Sequence, residues 1–149
     1  AELKEARYPR GPLDCHKTLS YAHNILELKS SQHTPILMDE STRIIESPTS
    51  AVAFIKSDTI ISPNHPFSLP SVMMAFIKDN AKKWGLQYKD EEIKEKDINN
   101  MDEIFLANAV QGIIEVKELK NYSIRSAEKT TTLKKHITNK LRISAQVPF

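Results

Sequence analysis

Glycine is scarce in this chain, with only Gly11, Gly85 and Gly112 among 149 residues. At the usual share of about 7%, roughly three times as many are expected. Neither Gly-x-Gly-x-x-Gly nor a Walker A loop can be built from three glycines so placed, so any phosphate must be held another way. Cysteine is scarcer still. Cys15 stands alone, which excludes an internal disulfide framework and a CxxC zinc site. No charge sign dominates: 21 basic residues face 19 acidic ones, for a net +2. That balance lacks the basic footprint of a nucleic-acid binder. No apolar run approaches the roughly 18 residues of a membrane span. The stretch Ala1 to Arg10 is charged and has no apolar core of a signal peptide, so a cytoplasmic location is expected. There is no His-Glu-x-x-His and no Gly-x-Ser-x-Gly. The five histidines (His16, His23, His33, His65 and His136) are scattered. His16 and His23 are spaced for one helix face, but no further ligands follow, and no metal site is expected.

What is present is ordinary for a globular domain: 40% hydrophobic and 27% charged residues, enough chain to bury a core without staples. Pro9, Gly11 and Pro12 mark an extended or looping lead-in from Tyr8 to Cys15. From Thr18 to about Ser31, Leu19, Ala22, Ile25, Leu26 and Leu28 recur at helical spacing, with Glu27 and Lys29 as polar positions. Short apolar runs follow at Pro35 to Met38, Arg43 to Ile45, Ala51 to Ile55 and Thr59 to Ile61. Separated by turn residues, they read as neighbouring antiparallel strands. Pro63, Pro66 and Pro70 mark a loop, and Val72 to Trp84 reads as a helix with Val72, Phe76, Ile77 and Ala81 on one face. Gly85 is placed to end it in the left-handed conformation. Asp90 to Asp97 reads as a solvated edge, Glu103 to Leu106 and Gly112 to Val116 as strands, and Thr130 to Leu141 as a basic helix. The basic excess from Lys117 to Arg142 is read as a solvated face. The sum is one mixed α/β (α+β) domain with hairpin strands and about three helices.

Four blocks carry more. They are His16-Lys17-Thr18-Leu19-Ser20-Tyr21, Ile45-Glu46-Ser47-Pro48-Thr49-Ser50-Ala51-Val52, Ser68-Leu69-Pro70-Ser71-Val72-Met73-Met74, and Met101-Asp102-Glu103-Ile104-Phe105-Leu106-Ala107-Asn108-Ala109. In this order and spacing they resemble the class IV aminotransferase family, pyridoxal-phosphate enzymes of fold type IV. The resemblance runs from about Tyr8 to about Val116. It implies the C-terminal large domain of the D-amino-acid aminotransferase-like fold, an antiparallel-rich pseudo-barrel. The whole chain, 1–149, would then be the cofactor-binding domain, with the family's small N-terminal domain absent from it.

The resemblance also implies roles. Lys17 matches the lysine that forms the Schiff base with pyridoxal 5'-phosphate. A lysine attacks only as the neutral amine, and once displaced it is placed to shuttle protons. A single lysine at a helix start is more commonly just solvated. Glu46 matches the acid facing the pyridine nitrogen, where a carboxylate favours the protonated ring. Thr49 and Ser50 either bond the cofactor phosphate or brace Glu46, or serve turn chemistry alone. Val72 and Met73 match the backbone donors to the phosphate at the start of the second helix, although apolar residues there are ordinarily core. The commonest family pattern, Gly-Ile-Thr-Arg, is here Ser71-Val72-Met73-Met74, without the threonine hydroxyl or the arginine. Ala51 replaces an asparagine frequent in transaminases. Asn108 and Ala109 match a loop near the cofactor and look more like the family's lyases than its transaminases; Asn108 is equally well a turn residue. Tyr21 matches a contact to the cofactor's phenolic oxygen, or is core.

The expected activity is that of a pyridoxal-phosphate-dependent lyase resembling aminodeoxychorismate lyase, with a branched-chain or D-amino-acid aminotransferase, or a non-catalytic relative, as the alternatives. The expected partners are a small-molecule amino substrate, a second copy of the chain, and the missing N-terminal domain, with no nucleic acid and no membrane.

Overall fold

The computed structural model describes residues 1–6, 11–17 and 21–141. Tyr8 to Arg10 of the lead-in, Thr18 to Ser20 of the first block and Arg142 of the basic stretch lie outside the described residues.

The centre is a five-stranded mixed sheet of β3 (Ala51–Lys56), β4 (Thr59–Pro63), β5 (Gln87–Glu91), β6 (Glu103–Asn108) and β7 (Gly112–Glu115). Its spatial order is β5-β4-β3-β6-β7. All neighbouring pairs are antiparallel except β4 with β5, which run parallel. A parallel pair needs a crossover, and α2 (Val72–Ala81) with the 3-10 turn Lys82–Trp84 provides it. Gly85 closes that crossover at φ +75°, in the left-handed region expected of it. A second, two-stranded parallel sheet joins β1 (Glu2–Glu5) to β2 (Pro35–Met38), with α1 (Ala22–Lys29) as its crossover. The last helix, α3, runs Glu128–Leu141.

The sheet is covered on both faces, which is why its strands read as continuous apolar runs. Val52, Phe54, Ile61, Ile104 and Leu106 point to one core with Ile36, Ile44, Ile93 and Leu119. Ala53, Ile55, Ile60, Phe105 and Ala107 point to the other, against Met73, Met74 and Ile77 of α2 and Leu133 and Ile137 of α3. Alternation of neighbouring residues between two cores is the period-2 geometry of a strand. Glu103, buried at the start of β6, fixes α3: its carboxylate accepts the N–H groups of Lys129 at 3.0 Å and Thr130 at 2.7 Å.

Several expectations change. Arg43 to Ile45 does not join the central sheet as a strand. It is an extended connector, with bridges Met38↔Ile44 and Arg43↔Lys94 tying the small sheet to the segment after β5. β2 pairs in parallel with β1, not as a member of one antiparallel series. α1 is shorter than expected, and its faces are reversed. Asn24 and Glu27 are buried, while Ile25 and Leu26 are 46% and 44% exposed. The reversal has a local cause: Glu27 is ion-paired at 2.7 Å with Lys4 of β1, so the helix docks through polar groups. In α2 the buried face is Met73, Met74, Ile77, Asn80 and Ala81, and Val72 is 78% exposed. The charged segments Glu2–Glu5 and Gln87–Glu91, without an apolar signal, are strands. β5 lies at the sheet edge, where charge is compatible with pairing on one side only.

Candidate functional site

A cavity of about 780 Å³ opens where the N-terminal ends of α1 and α2 meet the turns before β3 and after β6. All eight residues expected at the site line it: Lys17, Glu46, Thr49, Ser50, Val72, Met73, Asn108 and Ala109. They come from four segments far apart in sequence.

Lys17 ends the short loop that precedes α1. That loop is a local turn: the Asp14 N–H donates to the Gly11 carbonyl at 2.9 Å, and the Gly11 N–H donates to Asp14 Oδ2 at 2.7 Å. His23 of α1 lies 3.3 Å from the other Asp14 oxygen and ties the loop to the helix. His16 thus lies in a bend and not on the helix that carries His23. Lys17 itself is exposed and makes no hydrogen bond or ion pair with the described residues. Lys17 lines the cavity with no carboxylate bonded to its amine among the described residues.

Glu46 is 8% exposed and stands on the connector beside β2, where the Leu37 N–H donates to its carbonyl at 2.8 Å. Its Oε2 accepts the N–H of Leu69 at 3.1 Å. The loop 64–70 is pinned at two further points. Ser68 Oγ donates to the Ile45 carbonyl at 3.1 Å, and His65 Nδ1 accepts the Phe67 N–H at 3.2 Å. His65 Nε2 lies 3.3 Å from Asp39, which also binds Arg43 Nε at 2.7 Å. Burial acts to raise the Asp39 pKa, but the N–H and guanidinium of Arg43 and the bond from His65 outweigh it, and the carboxyl is held below its usual value.

This loop delivers the start of α2. Ser71 is its N-cap, with Oγ accepting the Met74 N–H at 3.3 Å. The first intrahelical bond is Ala75 N–H to the Ser71 carbonyl at 3.0 Å, so the N–H groups of Val72 and Met73 have no acceptor within the helix. Both residues line the cavity, and the positive end of the helix dipole lies at its wall. The substitution of Met73 and Met74 for polar residues has a structural account: both side chains pack into the core under the sheet. Val72 is not core; its side chain stands in the open at the cavity mouth.

The turn before β3 is closed by Ser47 N–H to the Ser50 carbonyl at 2.9 Å and Ser50 N–H to the Ser47 carbonyl at 3.2 Å. Tyr21, the N-cap residue of α1, donates its hydroxyl to the Pro48 carbonyl. Tyr21 is exposed at the cavity rather than core. Across the cavity Asn108 ends β6, and its Nδ2 donates to Ser50 Oγ at 3.0 Å. Sequence reasoning missed Asn24, buried on α1 and lining the same cavity. Its signal was the polar residue set between apolar ones on a helix beginning at the first block. Cys15 also lines the cavity, with Sγ 3.0 Å from the Pro12 carbonyl.

Among the described residues no group of three or more His, Cys, Asp or Glu side chains is placed to hold a metal. No helix of the described residues is long and apolar enough to cross a membrane.

The chain is similar to 4-amino-4-deoxychorismate lyase from Pseudomonas aeruginosa, at 21% identity and TM-score 0.81, over 94% of this chain and 55% of that one. It is similar to a hypothetical aminotransferase from Mycobacterium tuberculosis, solved with α-ketoglutarate and PMP bound, at 16% identity and TM-score 0.81, over 97% and 55% of the two chains. It is also similar to the branched-chain amino acid aminotransferase from Escherichia coli, at 14% identity and TM-score 0.73, over 93% and 51%. At these identities the likeness is one of fold, and the chain spans about half the length of the structures it matches. No curated protein sequence matches it. A family model described as amino-transferase class IV matches residues 2–119. The chain belongs to the amino-transferase class IV family.

Proposed function

We propose that this chain is the cofactor-binding part of a pyridoxal-phosphate-dependent lyase that converts aminodeoxychorismate to 4-aminobenzoate and pyruvate, a step towards folate. The observation that carries the reading is the convergence of Lys17, Glu46 and the start of α2 on one cavity. This donor set suits pyridoxal 5'-phosphate: an amine without a partner among the described residues, a buried carboxylate, and backbone N–H groups at a helix start. When bound, that group supplies a sink for the electron pair released at a broken carbon–hydrogen bond.

The chain's own residues do the rest. Lys17 holds the cofactor through its amine, then moves a proton at the substrate ring carbon, acting as base and acid in turn. Loss of the enolpyruvyl group as pyruvate leaves the aromatic ring. Glu46 favours a proton on the nitrogen that faces it. The N–H groups of Val72 and Met73 hold the phosphate, with Thr49 and Ser50 beside them and Ala109 at the opposite wall. The pair Asn108-Ala109 supports lyase over aminotransferase, and the likeness to the Pseudomonas aeruginosa lyase is compatible with it. The branched-chain or D-amino-acid aminotransferase is the second reading, supported by an equal TM-score to the Mycobacterium tuberculosis aminotransferase.

The same proposal includes a small-molecule amino substrate, a homodimer, and a separate or lost N-terminal domain completing the pocket, in the cytoplasm and without nucleic acid or membrane. The exposed apolar residues Leu13, Ile25, Leu26 and Val72 support the protein partners.

The test is borohydride reduction of the chain with pyridoxal phosphate, followed by peptide mass spectrometry. An adduct on Lys17, absent in Lys17→Ala, is expected. An adduct on other lysines only overturns the reading. Release of pyruvate and 4-aminobenzoate without a keto-acid acceptor then separates lyase from aminotransferase.

A further inference from the structure

Asn108 has nothing left to offer a ligand. A side-chain amide has two N–H donors and two acceptor positions on its oxygen, and all four are used. Nδ2 donates to Ser50 Oγ at 3.0 Å and to Gln111 Oε1 at 3.2 Å. Oδ1 accepts the N–H of Val110 at 3.0 Å and of Gln111 at 2.7 Å. The two backbone bonds fix the amide to the β6–β7 turn and set which edge faces Ser50.

That edge decides what Ser50 can do. A serine hydroxyl has one donor and two acceptor positions. The Asn108 N–H occupies one acceptor position, so the hydroxyl proton is excluded from that direction. Ser50 is 8% exposed, lines the cavity, and its backbone is locked in the closed turn with Ser47. With Asn108 on one side of the oxygen, the proton is left to the other directions, and the cavity that Ser50 lines lies open to it.

We propose that Ser50 is a ligand-binding hydroxyl for an anionic oxygen, and that Asn108 is its positioning residue, making no contact with the ligand itself. The anionic oxygen belongs either to the cofactor phosphate or to a carboxylate of the substrate. This deepens the lyase reading and rests on it for the ligand's source, but the Ser50–Asn108 coupling does not depend on an adduct at Lys17.

The variant that tests it is Asn108→Asp. A carboxylate keeps the acceptor for the Val110 and Gln111 N–H groups, so the turn is retained, but it can only accept from Ser50. The hydroxyl proton then turns away from the cavity. Dissociation constants of pyridoxal phosphate, pyridoxal and 4-aminobenzoate are measured on the full chain, on Ser50→Ala, on Asn108→Asp and on the double variant. Ser50→Ala is expected to weaken one anionic ligand about tenfold or more, and Ser50→Thr to restore it. Asn108→Asp is expected to weaken the same ligand strongly with Ser50 present and much less in Ser50→Ala. The repulsion from the added charge is common to both backgrounds and cancels in the cycle. Loss confined to pyridoxal phosphate and not pyridoxal assigns the phosphate; loss confined to 4-aminobenzoate assigns the carboxylate. Additive effects, or no loss from Ser50→Ala for any ligand, overturn the proposal. An absent Lys17 adduct with a retained cycle overturns the lyase reading alone.

Discussion

Glu46 Oε2 accepts the N–H of Leu69 at 3.1 Å, so the acid that faces the cavity also holds the loop that presents α2. One side chain thereby fixes the spacing between a carboxylate and a helix start. Charge and geometry are separable here. Glu46→Gln keeps an oxygen for the Leu69 N–H and loses the charge. It is expected to leave the melting temperature within about 2 °C, corresponding to less than ~1 kcal/mol, while any turnover of the proposed reaction falls by about 10²-fold. Glu46→Leu leaves that N–H without its acceptor and is expected to lose ~1–3 kcal/mol of stability as well. Thermal melts beside activity assays decide between the two.

Lys17 is exposed and bonds to none of the described residues. Its replacement by alanine therefore has little to disturb in the fold. Lys17→Ala is expected to change unfolding free energy by less than about 0.5 kcal/mol while abolishing the borohydride adduct. Urea titration of the variant measures the first, and mass spectrometry the second. A large stability loss would mean that the lysine is a structural element.

Ser71 caps α2 through the Met74 N–H. Ser71→Ala is expected to cost ~1 kcal/mol and, on the proposed role of the helix start in holding the phosphate, to weaken pyridoxal phosphate more than pyridoxal. Ser71→Asp retains the cap but adds charge beside the anion site, and is expected to keep stability while losing phosphate affinity. Parallel titrations with the two ligands check both statements.

The Asp39 carboxyl is depressed by Arg43 and His65 against the effect of burial. A carboxyl with a folded pKa below its unfolded value of about 3.9 contributes stability above that value and loses it as pH falls through the folded pKa. Its contribution is therefore steady from neutral pH down to about 5 and declines below about 4. Asp39→Asn is expected to be less stable at pH 7 and to show a shallower fall in acid, read from melting temperature against pH.

Much of the sheet was legible because its strands are buried on both faces. Ala51 to Ile55, Thr59 to Ile61, Glu103 to Leu106 and Gly112 to Val116 announce themselves as apolar runs, and apart from Val116 all of them lie in strands. The charged strands Glu2–Glu5 and Gln87–Glu91 gave no such signal, since they pair by backbone while their side chains stay largely outside the two cores. Periodicity found α1 but misjudged its buried face, because it assumes that a helix buries its apolar side. Here Glu27 is drawn inward by Lys4, and Asn24 lines a cavity. The site blocks were legible by resemblance, and their residues do share one cavity. Asn108 was legible as a turn residue, and its bonds to Val110 and Gln111 agree; its bond to Ser50 was not legible, because it depends on how the folded backbone brings the two turns together.

β3 follows directly on the Glu46 connector, yet its partner across the sheet is β6, which lies far along the chain beyond the α2 crossover. Chain synthesis therefore presents Lys17, Glu46 and Ser71 well before the strand that backs them exists. A nascent chain halted before Glu103 carries the blocks for the cofactor but exposes one edge of β3 and lacks the Asn108 wall. Cofactor capture should accordingly appear late and abruptly in a series of lengthening chains, making the bound cofactor a reporter of sheet completion.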